Sequence, residues 1–531
     1  MKRNVQRGIA GVLTAAALTM TLAGCGQGKQ QETATDFKFE SYPIQTDASL
    51  SYWLPLNSNV ASVSEDLGKT PFAQELKKQT GVDVKFIHPP VGQEADQLNI
   101  LLASEDLPDI IENNWYDFPG GPAKAMQDDF IIDLTDVIAK DSPNLAKYLK
   151  EHPDVDKMVK TDDNQYYVYP FIRGDEKLLI MQGPIIRQDW LDELGLAMPE
   201  TIDEWHTVLT AFKEKKGAEA PLSYFYSMFS FGGFMGAYGI LRGFTVEDGK
   251  VVFGPADPRY KEFLTTFAQW YKEGLIDPNI ANIDAKTLDA NVLNGKTGAS
   301  YNYAGSGLGK WMQALQEKDP KAVLAPAPNV ALKKGETPKL GQWEFPYSTS
   351  GSVAITSSCK NVSLAARFLD YGYSEEGYKL FNFGIEGESY NMVDGYPTYT
   401  DKIMKNPDGL NISSAMGQYF RSNYNGPFVQ AKEYVEQYYN TPQQAAALEI
   451  WGRTEMEKYS LPKITFTPEE SSEVANILNN INTYVDEKTV RYIMGLEDLS
   501  TFDSYMEELK NFGLDRLLEL YQTACDRYMK R

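Results

Sequence analysis

Cysteine and histidine are scarce in this chain. Its 531 residues hold three of each, Cys25, Cys359 and Cys525 and His88, His152 and His206. None of the cysteines forms a C-x-x-C pair, and the histidines lie far apart. Zinc centres need clustered Cys or His ligands, so the sequence argues against a metal site of that kind. Cys359 and Cys525 could pair outside a cell or stay as two buried thiols, and both readings stand. Positive charge is also short: 51 Lys and Arg face 73 Asp and Glu, a net charge of −22. Such a surface repels phosphates and anionic lipid, so nucleic acid is excluded as a partner. A polyanionic ligand would need a local basic cleft. Long apolar runs are missing as well: the uncharged stretch Gly8–Ala23 has 16 residues, short of the ~20 that span a bilayer.

The motifs of common enzymes are absent too. Gly295-Lys296-Thr297 ends like a phosphate-binding loop, but the required first glycine is Ala290. The segment Gly305-Ser306-Gly307-Leu308-Gly309-Lys310 continues into Trp311 instead of Ser or Thr and is read as a loop. Gly351-Ser352-Val353 lacks the second glycine of a nucleophile elbow. His206 falls within a helical pattern, His88 abuts Pro89-Pro90, and no pair of carboxylates stands out among 73 acids. The sequence therefore reads as that of a protein that is not an enzyme and holds no cofactor. A secreted glycoside hydrolase or polysaccharide lyase would require carboxylates, or a Lys–Tyr pair, converging in a cleft.

What is present begins at the amino terminus. Lys2, Arg3 and Arg7 precede the uncharged run, the layout of a secretory signal. The run ends in Leu22-Ala23-Gly24-Cys25, which resembles a bacterial lipobox. That resemblance implies cleavage after residue 24, a diacylglycerol thioether on Cys25 and further acylation. More than one acyl chain anchors a protein stably. Residues 25–36 read as a polar, flexible tether carrying the lipid. The expected location is the outer face of the cell membrane.

The remaining chain alternates helix and strand signals. Thr70-Pro71 through Gly81 carries a cap, a proline at the first helical position and a glycine stop, followed by an alternating strand over 82–87. Thr201-Ile-Asp-Glu204 is a capping box, Thr467-Pro468-Glu469-Glu470 opens a long helix, and a last helix is expected over about 502–529. Alternation on this scale predicts an α/β protein of two domains. Hydrophobic residues at 42% and charged residues at 23% suit soluble domains.

Aromatic residues in turn-rich segments are the positive functional signal. Trp115 and Tyr116 follow an apolar strand, at whose carboxyl end open α/β sheets bind ligands. Trp53 and Asn57 close the first strand, Tyr301 precedes a glycine-rich segment, and Trp343 and Tyr390 stand among hydrogen-bonding side chains. These seven are the candidate ligand contacts. Rings that pack against C–H faces, with amides and hydroxyls beside them, suit a sugar. A peptide or another non-sugar solute, bound for uptake or sensing, is compatible with the same pattern. Arg187 reads as a structural ion-pair partner at a helix start.

Several segments resemble one known family in order: Leu102-Ala-Ser-Glu-Asp-Leu-Pro-Asp109, Arg187-Gln-Asp-Trp-Leu-Asp-Glu-Leu-Gly195, Pro199-Glu-Thr-Ile-Asp-Glu-Trp205, Tyr271-Lys-Glu-Gly-Leu-Ile-Asp-Pro278, Tyr373-Ser-Glu-Glu-Gly377, Gly384-Ile-Glu-Gly387 and Asp526-Arg-Tyr528. The family is that of extracellular solute-binding lipoproteins of carbohydrate ABC importers in Gram-positive bacteria. The resemblance implies a type II periplasmic-binding-protein-like fold of two α/β lobes joined by hinge crossovers near 170–180, 340–350 and 390–400. It places 37–170 plus 345–395 in lobe 1 and 171–344 plus 396–531 in lobe 2. It implies a monomer that clamps an oligosaccharide and hands it to separate ABC permease subunits. Some relatives carry an Asp- and Asn-rich calcium loop after the helix matching 201–212. Here Lys213-Glu-Lys-Lys-Gly-Ala-Glu-Ala-Pro221 offers too few oxygens, so no calcium is expected there.

Overall fold

The computed structural model describes residues 39–104, 106–421 and 425–531. The expected signal peptide, Cys25 and the tether lie outside them.

Four strands open the chain: β1 (Ser49–Trp53), β2 (Asp83–Ile87), β3 (Ile110–Asn113) and β4 (Tyr169–Arg173). β5 (Gln182–Arg187), β6 (Phe244–Glu247), β7 (Lys250–Phe253), β8 (Ala299–Tyr303) and β9 (Leu324–Pro326) follow. The chain continues through β10 (Tyr347–Ile355), β11 (Tyr390–Val393), β12 (Tyr396–Tyr399) and β13 (Val429–Gln430). Strands β1 and β2 run parallel, with Ser49 opposite Asp83 and Trp53 opposite Ile87. A parallel pair needs a crossover, here the helix Pro71–Thr80. Thr70 caps that helix on the Ala73 amide at 3.3 Å, and Gly81 ends it at φ +75°.

The first sheet has the order β13-β4-β10-β3-β1-β2, with β10 antiparallel to both neighbours. Its core joins Trp53, Ile111, Trp115 and Tyr167 to Phe72 and Leu369. A second sheet has the order β8-β5-β9, and its helices pack a separate core around Trp205, Phe212, Phe267 and Leu517. These are the two α/β lobes. Between them the chain passes from β4 to β5 and returns from β9 to β10, so the passages fall at 174–181 and 327–346. The hairpin β11–β12 forms its own cluster with Phe383 and Phe420. β13 still pairs with β4, Val429 opposite Ile172. After it, Trp451 of the helix Pro442–Trp451 donates to the Pro184 and Ala327 carbonyls, both at 3.2 Å, on the second sheet.

Local signals placed the helix ends well. Both capping boxes, Thr201–Glu204 and Thr467–Glu470, are closed in both directions. Arg187 grips Asp189 with Nε at 2.8 Å and Nη2 at 2.5 Å. Two expectations differ. Residues 304–309 are a wide helical turn leading into the helix Lys310–Lys318, not a loop. Gly307 permits this, because a Cβ there would lie 2.8 Å from Asn302 Cβ. The last helix is two, Phe502–Asn511 and Leu514–Lys530, broken where Gly513 takes φ +102°. Cys359 and Cys525 are buried free thiols in different cores.

Candidate functional site: a cleft between the lobes

A cavity of about 1340 Å³ opens between the two cores. Tyr148, His152 and Met158 wall it from the first lobe, and Tyr528 and Met529 of the last helix wall it from the second. The end of β4 contributes Arg173, and the returning segment contributes Trp343 and Phe345. Trp343 and Phe345 meet edge to face with centroids 4.7 Å apart, a rigid aromatic corner. Among the described residues the buried Arg173 Nε has no hydrogen-bond partner, while its Nη1 lies 3.5 Å from Gln430 Oε1.

Beside the cavity runs a seam where the lobes touch. The Tyr116 hydroxyl donates to the Ile464 carbonyl at 2.6 Å. Lys463 Nζ lies 5.5 Å from the Tyr116 ring centre and 5.2 Å from that of Phe345. Its removal from water pulls its pKa below the usual lysine range, against the attraction of Glu344 and Asp117. Further along, the Asp162 amide donates to Thr465 Oγ1 at 3.0 Å. Arg527 Nε donates to Asp162 Oδ2 at 2.7 Å, and its other nitrogens reach Glu470 at 2.8 and 2.6 Å. That guanidinium holds the Glu470 carboxyl below its ordinary range. Arg531 Nη1 donates to the carbonyls of Lys160 and Thr161 at 2.9 and 2.7 Å.

The seven candidate residues separate clearly. Trp343 faces the large cavity, Tyr116 sits in the seam, and the exposed Asn57 lines a second, smaller cavity. The other four rings are packed inside cores. Trp115 is 0% exposed, and its indole N–H donates to the Ile111 carbonyl at 3.2 Å. Trp53 belongs to the same core. Tyr301 lies in the second core, with its hydroxyl on the Phe231 carbonyl at 2.6 Å. Tyr390 packs on Phe383 in the hairpin cluster. None of these four is among the lining residues of the two cavities. A ring at a strand end and a ring in the following loop look alike in sequence, and only the tertiary packing separates them.

Sequence reasoning missed Arg173, Phe345 and Lys463, which carry no local motif. It also missed Glu112, although a carboxylate closing the apolar strand Ile110-Ile111 is a signal that a buried charge has a partner. Among the described residues no group of three or more His, Cys, Asp or Glu side chains could hold a metal, and no helix is long and apolar enough to cross a membrane.

Comparison with known proteins gives the lineage. The family profile described as bacterial extracellular solute-binding protein matches residues 61–379. The chain is 26% identical to the fructooligosaccharide ABC transporter substrate-binding protein FusA of Streptococcus pneumoniae, over 97% of each chain. It is 27% identical to lipoprotein LipO of Bacillus subtilis, over 95% of this chain and 97% of the other. Among solved structures, the alginate-binding protein AlgQ2 without calcium ion superposes with a TM-score of 0.74 at 25% identity, covering 91% of this chain and 99% of that one.

Proposed function

The chain belongs to the bacterial extracellular solute-binding proteins, and on that premise we propose that it captures an oligosaccharide between its lobes and delivers it to a separate ABC permease. The observation that carries this reading is the 1340 Å³ cavity, walled by both cores and cornered by Trp343 and Phe345. Its size exceeds what one sugar ring needs, and its mixture of ring faces and polar groups suits a chain of several. The relatives named for fructooligosaccharide and alginate support a carbohydrate ligand. The ligand touches both lobes only when they are closed, so it draws the open–closed equilibrium toward the closed form. Binding is the whole of the activity: no bond of the guest is made or broken.

The same reading has residues 1–24 removed as a signal peptide and Cys25 lipidated, which agrees with the relative named as a lipoprotein. The protein then stands as a monomer, tethered by 25–36 to the outer face of the membrane. The proposed lobes are 37–170 plus 345–395 and 171–344 plus 396–531, with the first sheet extending past those bounds to Arg173 in β4 and to 429–430 in β13.

Thermal-shift measurements on the globular unit 37–531 test the proposal. Neutral or acidic oligosaccharides well above their Kd should raise the melting temperature by several degrees and be recovered intact. Stabilisation by peptides alone removes the sugar reading, and consumption of the guest removes the non-catalytic one.

A further inference from the structure

The hairpin β11–β12 is a finger whose tip leaves its apolar side chains in water. Residues 391–396 are all exposed, with Met392 at 43%, Val393 at 51% and Tyr396 at 36%. Val393 stands opposite Tyr396 and Met392 opposite Pro397, so apolar side chains cover both faces of the finger. The turn is Asp394-Gly395 at φ +52° and +81°, the tight two-residue geometry that matches strand twist. The base is fixed. Tyr399 stacks on Phe420 with centroids 5.0 Å apart, and its hydroxyl donates to the Asn382 carbonyl at 2.8 Å. Gln437 covers the outer edge of β12, accepting from the Tyr399 amide at 2.7 Å and donating to the Pro397 carbonyl at 2.8 Å. A two-stranded hairpin alone is marginal in water, so these anchors hold the tip in place.

The finger is bonded to the rim of the large cavity. The Tyr396 hydroxyl donates to Glu436 Oε2 at 3.0 Å, and Glu436 Oε1 accepts from Lys177 Nζ at 2.6 Å. Glu436 and Lys177 both line that cavity, and Lys177 belongs to the passage 174–181 that joins the lobes. Unpaired charge at the finger has one sign. Lys402 is taken by Glu388 at 3.0 Å, while Asp394 in the turn and Glu386 at the base make no ion pair among the described residues. Anionic lipid and a second copy of this acidic chain would both be repelled there.

We propose that this finger is the docking element for the permease, its tip entering an apolar groove with a basic or uncharged rim on the outer face of a permease subunit. The inference rests on the delivery reading and adds to it the surface through which delivery is made. Three exposed apolar side chains on an anchored support lose little freedom on docking, and their burial supplies the binding energy. A finger that is apolar on both faces suits a groove and not a flat surface. The acids at its tip and base select a partner of opposite charge. Because Glu436 ties the finger to the crossover, the partner meets it next to the cleft that holds the guest.

The test uses the full-length protein in its own cells, with the oligosaccharide that stabilises it most in the thermal-shift series. Met392→Asp and Val393→Asp should each lower uptake at least about tenfold, the effect of losing an interface anchor. The purified variants should keep the parent's melting temperature and oligosaccharide affinity, because both side chains lie outside the cores. Leu496→Asp, at a position 62% exposed in another part of the chain, should leave uptake unchanged. Replacing Val393 with the photoreactive p-benzoylphenylalanine and irradiating intact cells should give a covalent adduct with a membrane subunit of an ABC importer. Parental uptake in both aspartate variants overturns the docking surface and leaves delivery standing. An adduct with phospholipid, or with a second copy of this chain, overturns it as well. A loss of uptake matched by an equal loss of affinity puts the finger in the guest's own contacts and has the same consequence. If no oligosaccharide binds the parent protein, the oligosaccharide reading falls by itself, and the adduct at 393 still decides the docking.

Discussion

At the scale of the residue, burial decides what a side chain can do. Trp115 was a candidate ligand contact and is a core residue, 0% exposed with its indole N–H satisfied. Trp115→Ala should therefore cost stability, about 3–5 kcal/mol by the usual range for a large ring deleted from a core. Denaturant unfolding at constant m-value measures it. Trp343→Ala, at the cavity wall, should leave the midpoint within about 1 kcal/mol and act on ligand affinity. A second residue-level prediction concerns Asp370. Burial pushes its carboxyl up from 3.8 to about 6, although the amides of Asn144 and Leu145 donate to it at 3.2 and 2.8 Å. A raised native pKa means that the folded state holds a proton the unfolded chain has released between pH 4 and 6. Asp370 thus favours folding below pH 4, and this contribution is lost as the pH rises to 6, remaining absent above it. Melting temperature against pH should show that decline in the parent and a flatter profile in Asp370→Asn.

At the scale of the element, the sequence was most legible where a helix carries its own stop and start signals. Thr467-Pro468-Glu469-Glu470 spells out a capping box, and the helix Pro468–Ile493 begins there, with the Glu470 amide 3.3 Å from Thr467 Oγ1. Thr467→Ala should cost about 1 kcal/mol, read from chemical denaturation. Such signals are local, and neighbours in sequence suffice to satisfy them. The site was less legible because its parts are brought together from a distance: Tyr116 meets Ile464 across 348 positions, and Glu112 meets Arg421 across 309. No period of 2 or 3.6 encodes such pairs. Trp343, which lines the large cavity, was a candidate because its segment mixes a ring with turn residues. Asn425, which lines the smaller cavity, was missed because what places it is a bulge in another strand, at Gly351. The glycine-rich stretch 304–309 was misread for a related reason. Its glycines serve the close approach of Asn302 and Gln444 to a helical turn, not the flexibility of a loop.

At the scale of the whole molecule, the question is what holds the lobes in register around the cleft. The carboxyl-terminal helix reaches from the second core to the turn at 160–165 of the first, where Arg527 and Arg531 make ionic and backbone bonds. Arg527 is shared between Asp162 of one lobe and Glu470 of the other, and Asp162 has 11% of its side chain exposed. Partly buried pairs of this kind resist screening better than surface ones and lose most when one partner is removed. These contacts join the two lobes, and the expectation is that lobe opening breaks this pair, the Asp162–Thr465 bond and the two Arg531 bonds together, which would make them a clasp on the closed form. A contact present only when the lobes meet cannot change the ligand's intrinsic fit to the closed state, but it sets how often that state is populated. Arg527→Ala should then weaken every ligand by a common factor, about tenfold for 1.4 kcal/mol of lost closure energy, chiefly through faster dissociation. Small-angle scattering of the unliganded variant should show a larger radius of gyration than the parent, and saturating ligand should bring the two together. Ligand-dependent losses of affinity, or identical radii without ligand, would place Arg527 in the guest's own contacts or in the permanent scaffold instead.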